Sequence, residues 1–275
     1  MKQKVMSLRI ALVGHGKMGG ALLTQWRAVA ERDFPDTRFF VIDPMADPDR
    51  SDGSDRVAYL REPPPVDECA FDLVIVAVKP QVVSEVLPDY AGRLTPDGFV
   101  ASIAAGCSIE RLRALSGGAP VVRVMPNLPS AIGAGVSGLC ADERATDQQR
   151  ATIESLMAAA GSTLWVNNED MLDRLTAIAG SGPGYVFEIA RAYVEAATEL
   201  GFAPDEARQL VLGTMAGTIA MAQGSSSSLE ELRTSVTSKN GTTAAGLDAL
   251  NGDGALDQRL QATLAAAYDR AVELR

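Results

Sequence analysis

Short apolar runs rich in β-branched residues alternate with helical patterns over about the first 165 residues. Alternation of this kind is typical of βαβ units around a mostly parallel sheet. The runs RIALV and LVIVAV are apolar throughout, which indicates strands covered by helices on both faces. The proline-rich segment from Ala46 to Pro65 predicts an irregular surface connection. Six predicted strands are Leu8 to Val13, Phe39 to Ile42, Leu73 to Val78, Phe99 to Ile103, Val121 to Val124 and Ser137 to Cys140.

The pattern changes after Trp165, where strand-like runs stop and the remaining stretches are helical. Asn168 is a predicted N-cap, and Pro183 and Pro204 suit first helical positions. Capping boxes are predicted for two pairs, Thr146 with Gln149 and Ser228 with Glu231. The sequence therefore predicts an α/β domain over residues 1–165 and an all-helical domain over residues 166–275.

Two helices of the second domain differ in how their apolar residues are arranged. The helix after Pro183 has one apolar stripe, whereas the stretch from Leu210 to Ala222 contains no charged residue on any face. A helix of the second kind must be covered all round, and a small helical domain rarely covers its own central helix completely. We therefore expect a second copy of the chain to cover it, as a homodimer. The stripe residues are Val186, Ile189, Ala190, Tyr193, Val194 and Ala197.

The sequence GHGKMGG follows the first predicted strand and leads into a helical pattern, which is the context that gives a G-x-G-x-x-G motif its meaning. Gly14 allows the tight turn, Gly16 lets the backbone approach a pyrophosphate, and Gly19 lets the helix pack on the strand. The helix N terminus then attracts the anion. The motif predicts a Rossmann-type dinucleotide-binding fold. His15, Lys17 and Met18 complete the loop and are expected beside the cofactor; a glycine-rich turn without a ligand is the alternative.

Asp43 ends the second predicted strand, where a carboxylate can accept hydrogen bonds from the adenosine ribose hydroxyls. A 2′-phosphate would meet a like charge there, so the cofactor NAD(P)H is expected with a preference for NADH. Arg50 or Arg56 could compensate that charge, and the spacing fixes neither. An Asp beside a proline also suits a plain turn.

Composition narrows the classes of partner. The formal net charge of -10 leaves no basic face for nucleic acid. No apolar run approaches the roughly 20 residues that span a bilayer, so no membrane partner is expected. The apolar run after Lys2 and Lys4 stops at Gly14, too early for a signal peptide, and a cytoplasmic location is expected. Three scattered cysteines form no pattern that would hold a metal.

Two segments of the helical half resemble the pyrroline-5-carboxylate reductases, which make proline: Ala177 to Ala192 and Glu231 to Leu250. VIVAVKPQ, SIAAGCSIERL and RVMPNLP support the resemblance, which covers nearly the whole chain in the family's order. It implies hydride transfer from NAD(P)H to the C=N carbon of 1-pyrroline-5-carboxylate, giving L-proline, with the helical domain binding substrate and forming the dimer. The resemblance leaves open whether dimers associate into larger assemblies.

The resemblance also implies site residues. Ser238, Gly241, Thr242 and Thr243 fall where the family binds substrate, with backbone amides on the ring carboxylate and the Thr243 hydroxyl on the ring nitrogen as the catalytic contact. Without the resemblance, the same residues would suit a helix start with capping duties only. Ser181 opens a glycine turn that the family places near the substrate and the dimer contact. The strand end formed by Ala77, Val78, Lys79 and Pro80 is implied to contact the nicotinamide ribose, at the sheet edge where such folds bind ligands.

Some positions depart from the family pattern or stay open. Lys239 and Asn240 stand where the family usually has Pro-Gly or Pro-Asn, which predicts a less rigid turn. Asp43 departs from the small hydroxyl or Asn/Arg pattern common in members that favour NADPH. Asn127 could bond either cofactor or backbone. The rival functions are a β-hydroxyacid dehydrogenase, whose lysine is absent from Glu169 to Ala203, and a cofactor-binding sensor without turnover.

Overall fold

A single eight-stranded sheet organises the first part of the chain in a computed structural model that describes residues 8–33, 35–50 and 55–275. The strand order is β3-β2-β1-β4-β5-β6-β7-β8, and neighbours are parallel except for the antiparallel pair β6 and β7. The strands are Arg9–Val13 (β1), Arg38–Ile42 (β2), Val57–Leu60 (β3), Phe71–Val76 (β4), Leu94–Ser102 (β5), Val121–Met125 (β6), Gly135–Ala141 (β7) and Gly161–Trp165 (β8).

Helices cover both faces of the sheet, as the apolar strands predict. In β1, Ile10 and Leu12 belong to one buried cluster, while Ala11 and Val13 belong to another. This alternation follows from side chains pointing to opposite faces of a strand. The helices are Lys17–Asp33 (α1), Val83–Val86 (α2), Ile109–Leu115 (α3), Asp147–Ala158 (α4), Glu169–Leu175 (α5), Gly182–Glu199 (α6), Pro204–Gln223 (α7), Leu229–Ser235 (α8), Thr242–Asn251 (α9) and Ala255–Glu273 (α10).

Two strands differ from the sequence-based expectation. The segment from Ala46 to Pro65 is not wholly irregular, because β3 lies within it and pairs in parallel with β2, Phe39 opposite Val57. β8 was not predicted and pairs with β7. Both are edge strands of four or five residues, so one flank of each lacks a neighbouring strand within the sheet. β3 lies inside the segment rich in proline and aspartate, and β8, with the sequence GSTLW, has only two large apolar residues, so neither shows the apolar run of the inner strands.

The predicted helix starts at Thr146, Asn168, Pro204 and Ser228 are confirmed, and α6 begins at Gly182, one residue before the predicted Pro183. The Gln149 backbone N–H donates to Thr146 Oγ1 at 3.2 Å, and the Thr146 N–H donates to Gln149 Oε1 at 2.9 Å. The box of Ser228 with Glu231 is also present, and Asn168 accepts the N–H of Met171. Lys2 and Lys4 lie outside the described residues. In the part of the chain that the structure describes, no helix is both long and apolar enough to cross a bilayer.

The chain packs into two compact units. The second is Gly182–Ala266, and the first comprises the chain up to Ser181 together with Ala267–Arg275. This division by packing does not coincide with the expected boundary between residues 165 and 166, because α5 and the last residues of the chain pack with the first unit. The first unit therefore consists of the sheet, its covering helices and a returning C terminus.

Within the second unit, α6 and α7 pack through a small contact. The buried apolar residues there are Ala197, Ala207 and Val211, with Val194 and Met215 against them. Much of the apolar stripe of α6 and the charge-free stretch of α7 is open to solvent in a single chain; Tyr193 is 51% and Met221 72% exposed. One chain thus leaves large apolar surfaces of this unit uncovered.

Candidate active site

The glycine loop packs tightly against the turn that follows β4. Gly14 has a φ of 96°, and a Cβ there would lie 2.8 Å from Val78 Cγ1 and 2.9 Å from the Ala77 carbonyl. A Cβ at Gly19 would lie 2.6 Å from the Gly14 oxygen. These two positions therefore need glycine for backbone conformation and close packing. The structure brings the loop and the AVKP turn together in the first unit, as the sequence predicted.

Gly16 faces open space, in contrast to its neighbours. No atom lies within 4 Å of where its Cβ would be, and α1 begins at the next residue, Lys17. The first N–H groups of a helix have no acceptor within the helix and carry a partial positive charge. An anionic group can therefore approach the backbone at Gly16. The loop residues fit the diphosphate of a dinucleotide, with Lys17 exposed and His15 and Met18 half-buried.

Asp43 lies at the carboxyl end of β2 and is hydrogen-bonded to the glycine loop. Its Oδ2 accepts the backbone N–H of His15 at 2.7 Å, and its Oδ1 accepts that of Met45 at 2.9 Å. Each carboxylate oxygen can accept a further hydrogen bond. Asp43 can therefore hold the loop and still accept a ribose hydroxyl.

Arg50 lies in the same corner of the first unit. Its guanidinium carbon is 4.8 Å from the centroid of the Tyr59 ring, and the ring of His15 meets Tyr59 edge-on at 5.8 Å. Burial and Arg50 lower the pKa of His15, while Asp43 acts in the opposite direction. The spacing left Arg50 and Arg56 equal, and the missed strand β3 carries the Tyr59 that positions Arg50. This corner thus contains a cation as well as the Asp43 carboxylate.

The AVKP turn, which is expected to contact the nicotinamide ribose, follows β4, on the other side of β1 from β2. β1 has β2 on one side and β4 on the other, so the chain order reverses there, which is where open α/β sheets bind ligands. The Ala77 N–H donates to the Val13 carbonyl at 2.8 Å, which ties the AVKP turn to β1. Lys79 is exposed, and Pro80 starts a short 3-10 helix. The AVKP turn therefore lies beside the glycine loop.

Asn127 bonds the backbone at both ends of its amide. Its Nδ2 donates to the Ala179 carbonyl at 3.1 Å, and its Oδ1 accepts the Val136 N–H at 2.9 Å. The side chain is almost fully buried. Of the two roles left open by the sequence, the structure supports the one in which Asn127 holds the backbone.

Four of the five proposed substrate residues, Ser238, Gly241, Thr242 and Thr243, lie in one turn of the second unit. The Gly241 N–H donates to the Ser238 carbonyl at 3.0 Å, and a Cβ on Gly241 would overlap the Ser238 hydroxyl. Asn240 has a φ of 61°, a left-handed conformation that Asn tolerates better than most residues. α9 begins at Thr242, and no side chain among the described residues caps its first turn. Thr242 and Thr243 are exposed, so the N–H groups of this turn are open to an anion.

Ser181 ends a π-helical turn, Thr176–Gly180, and its N–H donates to the Thr176 carbonyl at 2.9 Å. π-helical turns occur frequently at functional sites. Ser181 is the last residue of the first unit before the chain enters the second, whereas Ser238 to Thr243 lie in the second. The structure thus places the expected cofactor residues in the first unit and the expected substrate turn, Ser238 to Thr243, in the second.

Sequence reasoning missed a buried ion pair of the first unit. Arg123 in β6 is 2% exposed, and its Nη1 lies 2.6 Å from Glu169 Oε1. The same carboxylate oxygen accepts the Ile109 backbone N–H at 2.9 Å. A charged residue inside the apolar run VVRVM was the available signal, but its partner is 46 residues away. The pair ties β6, α3 and α5 together.

Comparison with known proteins agrees with this geometry. Residues 169–274 match the family model described as pyrroline-5-carboxylate reductase dimerisation. The pyrroline-5-carboxylate reductase of Pseudomonas aeruginosa is 34% identical over 97% of this chain and 96% of its own length, and that of Haemophilus influenzae is 34% identical over 93% and 94%.

Solved structures agree as well. A pyrroline-5-carboxylate reductase from Coxiella burnetii superposes with a TM-score of 0.85 at 30% identity, covering 98% of this chain and 99% of that one. The Plasmodium falciparum enzyme with NADP bound has the same fold, with a TM-score of 0.80 at 24% identity and the same coverage. The chain therefore belongs to the pyrroline-5-carboxylate reductase family.

Proposed function

We propose that this chain transfers hydride from NAD(P)H to the C=N carbon of 1-pyrroline-5-carboxylate, giving L-proline in the last step of proline biosynthesis. The observation that carries the proposal is 34% identity to a pyrroline-5-carboxylate reductase over 97% of the chain. The open backbone at Gly16 and the uncapped first turn of α9 support it, because they suit the two anionic groups that the reaction brings together, a diphosphate and a ring carboxylate.

Oxidation of NADH or NADPH in the presence of 1-pyrroline-5-carboxylate tests this proposal, with proline measured as product. One proline should form for each reduced cofactor consumed. Turnover of a β-hydroxyacid but not of the imine would favour the dehydrogenase alternative. Cofactor binding without turnover of either would favour a sensor.

The chain's own residues act mainly by placement. The cofactor supplies the hydride from C4 of its nicotinamide. The ring carboxylate is held by hydroxyl and backbone N–H groups of Ser238, Gly241 and Thr242. The Thr243 hydroxyl orients the ring nitrogen, and Ser181 lies beside the substrate. Holding two reactants in a productive geometry can lower a barrier by roughly 7 to 11 kcal/mol, so no elaborate acid-base group is required. The one histidine, His15, lies in the glycine loop and takes no part in this step.

We propose that Asp43 favours NADH, because its carboxylate would lie against a 2′-phosphate. Replacing Asp43 with Ser should shift the ratio of kcat/KM for NADPH over NADH upward by about tenfold, which corresponds to about 1.4 kcal/mol. Asp43→Asn removes the same charge but keeps an oxygen for one of the two N–H donors, so it should shift the ratio in the same direction with less disturbance of the loop. Arg50→Ala should shift the ratio the other way, since it removes the nearby cation. A parent protein that clearly prefers NADPH would contradict the proposed role of Asp43.

We propose that the chain is an obligate homodimer formed through its helical domain, residues 166–275. Solvent exposure of the apolar side chains on α6 and α7 would cost about 1.5 to 3 kcal/mol each. Ile219 is 59% and Met221 72% exposed in one chain, and both lie in the charge-free stretch. Sedimentation velocity at micromolar concentration should show dimers or larger assemblies. A stable, active monomer would contradict the proposal. Replacement of Ile219 by Asp should weaken the assembly, while Arg208→Asp on the charged part of α7 serves as a control.

A further inference from the structure

The last residues of the chain fold back onto α5 in the first unit. Tyr268 Oη donates to Asp170 Oδ1 at 2.5 Å, and the Arg174 guanidinium lies 4.7 Å from the centroid of the Tyr268 ring. Arg275 Nε lies 2.7 Å from Asp173 Oδ2 as an ion pair. We call these five residues the C-terminal clamp.

The clamp contains a carboxylate that needs its cation. The Asp173 side chain is 4% exposed, and a buried carboxylate is costly unless a charge of opposite sign is close. Arg275 is the residue that the structure places against it, at the very end of the chain. Burial raises the pKa of Asp173, Arg275 and then Arg123 oppose that rise, and the neighbouring carboxylates Glu169 and Asp170 add to it. The contact therefore holds the C terminus to α5.

The clamped segment also touches the loop that follows β5. Gly106, with a φ of 71°, lies so close to Leu274 that a Cβ there would overlap the Leu274 carbonyl oxygen. On its other side, the loop leads into α3 at Ile109, whose N–H is held by Glu169 of α5 at 2.9 Å. Residues 103–108 are thus held by the C terminus at Gly106 and by α5 at Ile109.

This loop lies at the carboxyl edge of the sheet, next to the AVKP turn. β5 neighbours β4, and the Ile103 N–H donates to the Val76 carbonyl at 3.0 Å. Asp43 is on the opposite side of the switch in strand order, at the end of β2. A dinucleotide with its adenosine at β2 therefore extends its nicotinamide toward β4 and β5.

We propose that the C-terminal clamp positions the 103–108 loop against the nicotinamide half of the bound dinucleotide, with Tyr268 and Arg275 as positioning residues. The inference rests on the proposed function only in taking a nicotinamide dinucleotide as the ligand. Release of the clamp leaves the adenosine corner at Asp43 unchanged but lets the loop move. The nicotinamide half then binds to a loop that must first become ordered. The entropy cost of that ordering lowers the affinity for the dinucleotide.

Calorimetric titration of the full-length protein with NAD⁺ and with ADP tests the proposal, because ADP lacks the nicotinamide half. Arg275→Ala should raise the Kd for NAD⁺ by about three- to tenfold and leave the Kd for ADP unchanged. Tyr268→Phe, which removes only the hydroxyl, should act in the same direction with a smaller effect. Arg275→Lys keeps a cation and should retain most of the affinity. Arg270→Ala is the matched control, since Arg270 pairs with Glu273 on the surface of the same helix.

Two results would overturn the proposal: equal weakening of both ligands, which indicates a general structural defect, or no change in either. Thermal unfolding of each variant identifies a loss of folding, and Tyr268→Phe keeps the test available if Arg275→Ala is unstable. Because the titration needs no turnover, a parent protein that binds NAD⁺ without reducing 1-pyrroline-5-carboxylate would refute the proposed function and leave this test in place.

Discussion

Replacement of Thr243 by Ala is expected to lower kcat/KM for 1-pyrroline-5-carboxylate by about 5- to 150-fold, a loss of about 1 to 3 kcal/mol. The change removes the hydroxyl that we propose bonds the ring nitrogen, so that nitrogen loses its hydrogen-bond partner. Steady-state kinetics with saturating reduced cofactor measures the effect. The Kd for NAD(H) should stay unchanged, because Gly14, Gly16 and Asp43 belong to the first unit.

Thr242→Ala is the matched control. Its proposed contact is a backbone N–H at the start of α9, which alanine keeps, so kcat/KM should fall much less. The reverse result, with Thr242→Ala damaging and Thr243→Ala harmless, would move the register of the substrate contact by one residue. If neither change matters, the turn from Ser238 to Thr243 is only a helix start.

Replacement of Glu169 by Ala is expected to destabilise the fold by about 3 to 5 kcal/mol, because it leaves Arg123 buried without its partner. Arg123 is 2% exposed and Glu169 25% exposed, so after the truncation water reaches the guanidinium only from the side that Glu169 now covers. The Ile109 N–H loses its acceptor as well. Chemical denaturation at one fixed protein concentration measures the change, since the stability of an oligomer depends on concentration.

Glu188→Ala provides the control for this prediction. Glu188 pairs with Arg191 on the surface of α6, and exposed ion pairs of this kind contribute little. A double variant, Arg123→Met with Glu169→Leu, should recover much of the stability, because it removes both charges from the buried site. A loss below about 1 kcal/mol for Glu169→Ala would show that Arg123 finds another partner or reaches water.

The features that the sequence predicted well depend on neighbours a few residues apart. The capping boxes at Thr146 and Ser228 join residues three positions apart, and both form as predicted. The glycine motif lies between a predicted strand and a predicted helix. Gly14 could therefore be assigned to a tight turn and Gly19 to close packing before the neighbouring AVKP turn was known. The charge-free stretch of α7 predicted large apolar faces, and one chain leaves them exposed.

The mostly parallel sheet was predicted from the alternation of strands and helices, but the two edge strands were not. β3 and β8 were missed, because β3 lies in a segment rich in proline and aspartate and β8 is half polar, so neither forms a clear apolar run. β3 carries Tyr59, and the Arg50 guanidinium lies over the Tyr59 ring. The sequence alone left Arg50 and Arg56 equal for this reason.

The sequence by itself determined the family, the two kinds of secondary structure, the helix starts and the glycine loop. Each of these depends on residues that are close together along the chain. Only the tertiary structure decided that Asn127 holds the backbone, that Glu169 is the partner of Arg123 and that the C terminus returns to α5. The Tyr268 hydroxyl and the Asp170 carboxylate are 98 residues apart in sequence. Contacts of that separation depend on where the whole chain places two distant segments, which no local pattern in the sequence records.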